Sequence, residues 1–311
     1  MAAIGIALPN LPGVTPPMIP EFARRIEAGG FDAIWSLDRL VYENADPLTA
    51  LAACAAVTSR VRLGTSILLA PLHPPVLLAK QFATLDLLSN GRVTVGVGIG
   101  GRPDDFNGAG VPFAARGGRT REAIHIMKQV WAGQVIRHQG RHFTVECGPV
   151  GPAPVQRPHP PVWMGGIQEP ALRRIARIAD GFIGTGGAGP EGFRAAWQRV
   201  RQFLADAGRP EEGFPNACLA YFNVTNDREQ GKQDAMAALT RYYGPQFPSR
   251  YDPEKALIFG PPEECARRSQ AYLDAGVQHL ILVPTTLDVA QVDRISREVI
   301  PLLGAGRRTA T

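Results

Sequence analysis

The sequence predicts an α/β fold, a (β/α)8 TIM barrel, on three observations. Short apolar strands begin near residues 4, 33, 62 and 92, at intervals of 29, 29 and 30 residues. Each interval holds one helix pattern, which is the period of a βα unit in a parallel sheet. Between residue 162 and the C-terminal region four more strand-like segments alternate with helices, bringing the strands to eight. The fourth segment, residues 91–101 (GRVTVGVGIGG), alternates strictly. Val93, Val95, Val97 and Ile99 fall on one face, and Thr94, Gly96, Gly98 and Gly100 on the other. A strand gives up side chains on one face where something must approach its backbone, and a bare lumen face would make space for a flat ring at the barrel top. Residue identities do not repeat with the period, so the repeat is architectural. An open doubly wound sheet is the alternative arrangement.

The elements follow in order. Residues 4–8 (IGIAL) are strand one, and residues 16–29 carry Ile19, Phe22 and Ile26 at helical spacing before a stop at Gly29-Gly30. Residues 33–37 (AIWSL) are strand two. Asp46 is placed to cap a helix with Pro47 at its first position and Leu48, Leu51 and Ala55 on its buried stripe. Residues 63–69 are strand three; Pro74-Pro75 opens a helix with Leu78, Leu85 and Leu88, which ends at Asn90-Gly91. After the glycine strand, the run RPDDFNG reads as non-helical, and residues 116–131 form a helix with Ile124, Met127, Val130 and Trp131 inward. Residues 135–146 read as a hairpin turning at Gln139-Gly140. Strands five to eight are 162–166, 182–185, 216–225 and 279–284, separated by helices at 170–179, 193–204, 227–243 and 262–275. Val289, Val292, Ile295 and Val299 mark the last helix. One domain is expected over residues 1–303, with insertions at about 100–115, 133–161 and 244–260, that is, after strands four and seven, and a frayed tail at 304–311.

Composition narrows the function class. The chain has 311 residues, 45% hydrophobic and 20% charged, enough for a large core. No apolar run has the length of a membrane span, and the N-terminus lacks a basic leader. Cys54, Cys147, Cys218 and Cys265 are scattered without a C-x-x-C, as reduced thiols in a cytoplasmic protein would be. The net charge of +5 is spread over helices among Asp and Glu, which argues against a nucleic-acid partner and leaves room for attraction of small anionic ligands.

Gly96, Gly98 and Gly101 spell G-x-G-x-x-G, the dinucleotide fingerprint. That motif belongs on the turn between a first strand and its helix. Here the glycines lie within the fourth strand, so the match is a decoy. In a barrel, function sits at the C-terminal strand ends. Those ends read Ser36, Asp38 and Arg39; Thr65, Ser66 and Ile67; Ile99, Gly100 and Gly101; Gly165, Gly166 and Ile167; Thr185, Gly186 and Gly187; and Pro284, Thr285 and Thr286. The set is rich in Gly, Ser and Thr, which suits backbone hydrogen bonding to a cofactor and phosphate capture at helix N-termini. It suits neither paired-acid hydrolysis nor a metal centre. His138 and His142, four apart with no acidic or Cys partner in sequence, are not expected to bind metal.

Several stretches together resemble the bacterial-luciferase-like superfamily of flavin- and deazaflavin-dependent oxidoreductases. They are 59–71 (SRVRLGTSILLAP), 81–100 (QFATLDLLSNGRVTVGVGIG), 110–123, 160–166 (PPVWMGG), 179–187 (ADGFIGTGG), 259–265 and 275–282, in family order. Within it the chain resembles most the branch that uses the deazaflavin coenzyme F420, with FMN as the alternative. The resemblance implies a barrel with the ring over its mouth, a small-molecule substrate, a homodimer, and a flavin or F420 reductase as partner. It implies cofactor contacts at Asp38, at a non-proline cis peptide Ser66–Ile67 on a bulge of strand three, at Ile99 and Gly100, and at Gly165 and Gly166; the end of strand six adds Thr185 and Gly186. Sugar-phosphate dehydrogenases of this branch carry a His after the strand-two Asp and a Glu at the end of strand four. Here Arg39 and Gly101 stand there, so that base and acid are missing. Arg39, Gly101 and Arg102 become expected substrate contacts, with exposure as the default for Arg39. Asp38 and His73 are the candidates for proton transfer. Arg102, Asp104 and Asp105 read equally as a substrate gate or a solvated loop, and Trp35, Trp163 and Met164 as barrel core. A protein that binds the ring without turnover is the remaining alternative.

Overall fold

The structure is a computed structural model and describes residues 2–247 and 251–303; the expected tail at 304–311 lies outside them. In chain order the strands are β1 (Ala3–Ala7), β2 (Ala33–Ser36), β3 (Arg62–Thr65), β4 (Leu68–Leu69), β5 (Val93–Gly98), β6 (Ile136–Gln139), β7 (Thr144–Cys147), β8 (Val162–Gly165), β9 (Gly181–Thr185), β10 (Asn216–Val224), β11 (Ile258–Gly260) and β12 (His279–Pro284). The helices are α1 (Met18–Ala28), α2 (Pro47–Ala55), α3 (Pro75–Leu88), α4 (Pro103–Gly108), α5 (Arg116–Trp131), α6 (Glu169–Ile178), α7 (Gly189–Asp206), α8 (Arg228–Tyr243), α9 (Pro253–Ala256), α10 (Pro262–Asp274) and α11 (Ala290–Arg294). Eight parallel strands, in the order β1, β2, β3, β5, β8, β9, β10, β12, close into a barrel, with Ala3 of β1 opposite His279 of β12. The TIM barrel is therefore the fold, and the open sheet is excluded. β4 continues β3, and β6 and β7 form the expected antiparallel hairpin. No helix among the described residues is long and apolar enough to cross a membrane.

Local chemistry explains the helix starts. The Asp46 carboxylate accepts from the Thr49 amide with Pro47 at the first position of α2, and Asp227 does the same for Gln230 of α8. Alternation then sorts the strand side chains into two cores. Ile4, Ile6, Val93, Val95, Val97 and Met164 face the helix layer, so Met164 is core as expected, on the outer side of the barrel. Trp35 and Trp163 fill the lumen with ring centroids 5.9 Å apart, below Ile183, Leu219 and Tyr221. Their bulk is matched by glycines: a Cβ at Gly5 or Gly64 would come within 2.5 Å of Trp35, and one at Gly181 within 2.6 Å of Trp163.

After β3 the bulge that the resemblance implies is present, and after β5 one reading is corrected. Gly64 pairs with Thr94 but Leu68 pairs with Val97, so three residues of strand three oppose two of β5. This is a bulge at Thr65–Ile67, and it takes the room the glycines leave. A Cβ at Gly96 would stand 1.7 Å from the Thr65 carbonyl oxygen, and one at Gly98 would stand 2.4 Å from the Ile67 side chain. The bare face thus admits the neighbouring strand at Gly96, while Gly98 and Gly100 also line the cavity at the barrel mouth. The correction is α4: Pro103–Gly108 is a short helix where no helix was expected. Four residues, 99–102, separate it from β5, so it is not the helix of a dinucleotide fingerprint. The insertion at 244–260 likewise holds α9 and β11, which pairs with the far end of β10.

Candidate active site

A cavity of about 520 Å3 opens at the C-terminal ends of the barrel strands, within the usual range for a small-molecule site. β2 delivers Asp38, whose side chain is only 9% exposed. Its Oδ2 accepts from the Leu69 amide at 2.8 Å, so the strand-three bulge and the strand-two end hold each other. His73 Nε2 lies 3.9 Å from the same oxygen, but His73 is not among the cavity-lining residues. The Ser66–Ile67 peptide is cis. Both residues line the cavity, and the buried Ser66 hydroxyl has no hydrogen-bond partner among the described residues.

The end of β5 supplies Ile99, Gly100, Gly101 and Arg102. Gly100 has φ +75°, a left-handed backbone that favours glycine, and a Cβ at Gly101 would meet nothing within 4 Å. Gly165 and Gly166 line the next wall, and Gly166 packs so close to α6 that a Cβ would lie 2.6 Å from Ala171 Cβ. Thr185 lines the cavity and accepts from the Gly187 amide at 3.3 Å; Gly186 does not line it, and its carbonyl accepts from the Tyr272 hydroxyl.

Arg39 is not the exposed arginine expected. Its side chain is 8% exposed and pairs through Nε with buried Asp105 and through Nη2 with Asp104, each within 3.1 Å. Asp105 also accepts from the Leu40 and Val41 amides, so it is no solvated loop residue: α4 is fastened to the end of β2. Arg102 has no ion pair among the described residues. Its guanidinium lies over the Tyr242 and Tyr243 rings at 4.7 and 4.8 Å, with Nη1 buried and unpartnered.

The tyrosines are what sequence reading missed. Tyr221 on β10 and Tyr242 and Tyr243 at the end of α8 line the cavity, and the Tyr221 and Tyr243 hydroxyls are 2.7 Å apart. Burial first, then the neighbouring Tyr243 and Tyr242, pushes the Tyr221 phenol well above its ordinary range. Tyr221 follows Leu219 by two residues on one strand face, a period-two signal present in the sequence; nothing local tells that the end of α8 folds back over the mouth. Remote from this site, Glu122 comes within 3.4 Å of His138 and accepts from the His142 amide, an acidic partner not seen in sequence. No three His, Cys, Asp or Glu side chains among the described residues form a metal-sized group.

Residues 4–279 match the family described as luciferase-like monooxygenase. The chain belongs to that family. This luciferase-like oxidoreductase is 28% identical over 322 residues to an F420-dependent glucose-6-phosphate dehydrogenase of Kineococcus radiotolerans, covering 93% of each chain. Two solved structures share its fold. An F420-dependent secondary alcohol dehydrogenase in complex with an F420–acetone adduct has TM-score 0.83 and 22% identity, covering 97% of this chain and 99% of that one. The oxygenating constituent of 3,6-diketocamphane monooxygenase from Pseudomonas putida, in complex with FMN, has TM-score 0.76 and 17% identity, covering 97% and 99%. The luciferase-like mouth, with an orphan hydroxyl at Ser66, open space at Gly101 and apolar walls, fits a flat ring of either kind.

Proposed function

We propose that this protein is an F420-dependent oxidoreductase that transfers hydride to or from a small organic substrate. The observation that carries the reading is its likeness over 93% of both chains to an F420-dependent dehydrogenase. When bound, the deazaflavin supplies the hydride chemistry. Ser66, Ile67, Ile99 and Gly100 would support the ring, and Asp38 would touch its edge. Gly165, Gly166 and Thr185 would hold its tail, where α6 starts without a side-chain cap on its amides, and Gly186, behind the cavity wall, would act only by placing Thr185. Arg39 would act on the substrate only through Asp105 and α4, because its donors are already engaged. Arg102, beside the open space at Gly101, would meet the substrate directly. Asp38 with His73 behind it would complete the proton traffic on that side. A cytoplasmic homodimer belongs to the same proposal, and Leu77, Leu87 and Leu88 give α3 an exposed apolar face consistent with it.

Titration of the purified protein with F420, FMN and NADPH, followed by fluorescence, tests this. Binding of the deazaflavin alone supports it. Binding of FMN with oxygen-dependent turnover, fed by a flavin reductase, makes the protein an FMN monooxygenase instead. Binding without turnover makes it a carrier, and binding of neither ring ends both readings.

A further inference from the structure

Hydride addition to a carbonyl carbon leaves an oxygen that must take up a proton, and the reverse reaction must remove one. This chain carries Arg39 and Gly101 where the resemblance expects a base and an acid. Among the other polar groups of the wall, Arg102 keeps its protons and the Tyr242 hydroxyl is paired with Asn10; the rest are engaged or isolated. Asp105 is bound by Arg39 and two backbone amides, and Thr185 accepts from Gly187. Ser66 has no partner among the described residues to return a proton. Asp38 holds the Leu69 amide and sits three strands round the barrel from β10, on the side read above as the ring edge.

On β10 the situation differs. Tyr221 is 7% exposed and lines the cavity, while Tyr243, its hydrogen-bond partner at 2.7 Å, is 41% exposed. Two hydroxyls hold two protons, and their mutual bond uses one. With Tyr243 donating, the Tyr221 proton is free for the cavity; with Tyr221 donating, its lone pairs are. Rotation of both hydroxyls exchanges the two states, so one pair can serve either reaction direction. We infer that the Tyr221 hydroxyl, backed by Tyr243, gives the proton to the substrate oxygen in reduction and takes it in oxidation. The inference rests on the hydride-transfer reading above.

In reduction the substrate carbonyl carbon gains a C–H bond from the hydride donor, a dihydrodeazaflavin on that reading. The C=O π pair moves onto oxygen, and the new O–H bond forms as the Tyr221 O–H bond breaks. Tyr221 regains a proton from Tyr243, and Tyr243 from water. The substrate is reduced by two electrons and the donor oxidised by two. The raised Tyr221 phenol keeps its proton throughout the neutral range, as a donor to a forming alkoxide requires.

Tyr221→Phe and Tyr243→Phe test this against wild type by three measurements. These are F420 affinity by fluorescence, oxidation of reduced F420 by a panel of simple ketones and aldehydes, and the 13Cζ resonances of labelled tyrosine in cofactor-free protein. Tyr221→Phe is expected to bind F420 within about twofold of wild type and to lose about a hundredfold in turnover. Tyr243→Phe alters a half-exposed side chain and is the variant to rely on if Tyr221→Phe does not fold. It is expected to move the Tyr221 resonance, to slow turnover by roughly tenfold and to shift the alkaline limb of the pH profile. Tyr221→Phe that binds F420 and turns over within about threefold of wild type overturns this inference alone. So does a Tyr221 resonance unmoved by Tyr243→Phe. Wild-type protein that does not bind F420 overturns the hydride-transfer reading and this inference with it.

Discussion

Arg39 is a side chain whose role is set by its partners. Its guanidinium holds Asp104 and Asp105, donates to the carbonyls of Val41 and Tyr242, and lies 5.4 and 5.5 Å from the Tyr42 and Tyr242 ring centroids. Removing one partner of a buried pair leaves the other charge uncompensated, which costs more than the pair contributes net. Arg39→Met is therefore expected to lower stability by about 3 kcal/mol, read by urea unfolding; a loss under about 1 kcal/mol would show that the two Asp105 backbone donors suffice. Asp38 makes a narrower case, because it anchors Leu69 as well as facing the cavity. Asp38→Ala should weaken F420 binding by about tenfold, or ~1.4 kcal/mol. Unchanged affinity and turnover would remove Asp38 from the site.

At the scale of elements, β5 and the strand-three bulge act as one part. Thr65 Oγ1 donates to the Gly96 carbonyl at 2.6 Å and accepts from its amide at 3.0 Å, so the bulge is pinned to the glycine strand on both sides. Gly96→Ala would drive a methyl into the Thr65 carbonyl, which is backbone and cannot swing away, and would crowd Ile183 Cδ1 at 2.9 Å as well. It should cost at least about 3 kcal/mol and abolish cofactor binding, whereas Gly101→Ala, facing open space, should stay within about 0.5 kcal/mol of wild type. Equal effects of the two in thermal unfolding would contradict the bulge as the reason for the glycines. This part also marks what could be read in the chain. The 29-residue period and the alternation of β5 are local signals, so the barrel and its functional end were legible. What the bare face receives was not, because Thr65 and Ile67 reach Gly96 and Gly98 by tertiary register. Nor was α4, a six-residue helix packed against the Leu40–Val41 backbone through Asp105. The tyrosine wall needs α8 to return over the mouth, which no spacing encodes.

Across the whole molecule, two carboxylates tie segments distant in sequence and make its stability depend on acid. Glu27, at the end of α1, receives the amides of Ser59, Arg60 and Val61 and the Ser59 hydroxyl, fixing the entry to β3. Burial alone would raise its pKa, but these hydrogen bonds outweigh burial and lower it from 4.5 to about 2. Glu254 on α9 is also lowered to about 2: burial opposes, and Lys232, Arg268 and Arg228 win, binding α8, α9 and α10 together. A carboxylate whose folded pKa lies below its unfolded value stabilises fully above the unfolded pKa, and that contribution is lost as pH falls through the folded one. The window here runs from about 4.5 down to about 2. The Glu254 cluster is two-fifths exposed at the acid and is screened by solvent and salt, so Glu27 should carry most of the effect. Glu27→Gln is expected to lose about 2 kcal/mol at pH 7, and its deficit against wild type should shrink toward zero as urea unfolding is repeated from pH 4.5 to 2.5. A deficit that stays constant over that range would mean that the Glu27 contacts hold the turn by shape alone and that its ionisation contributes nothing to the barrel's acid stability.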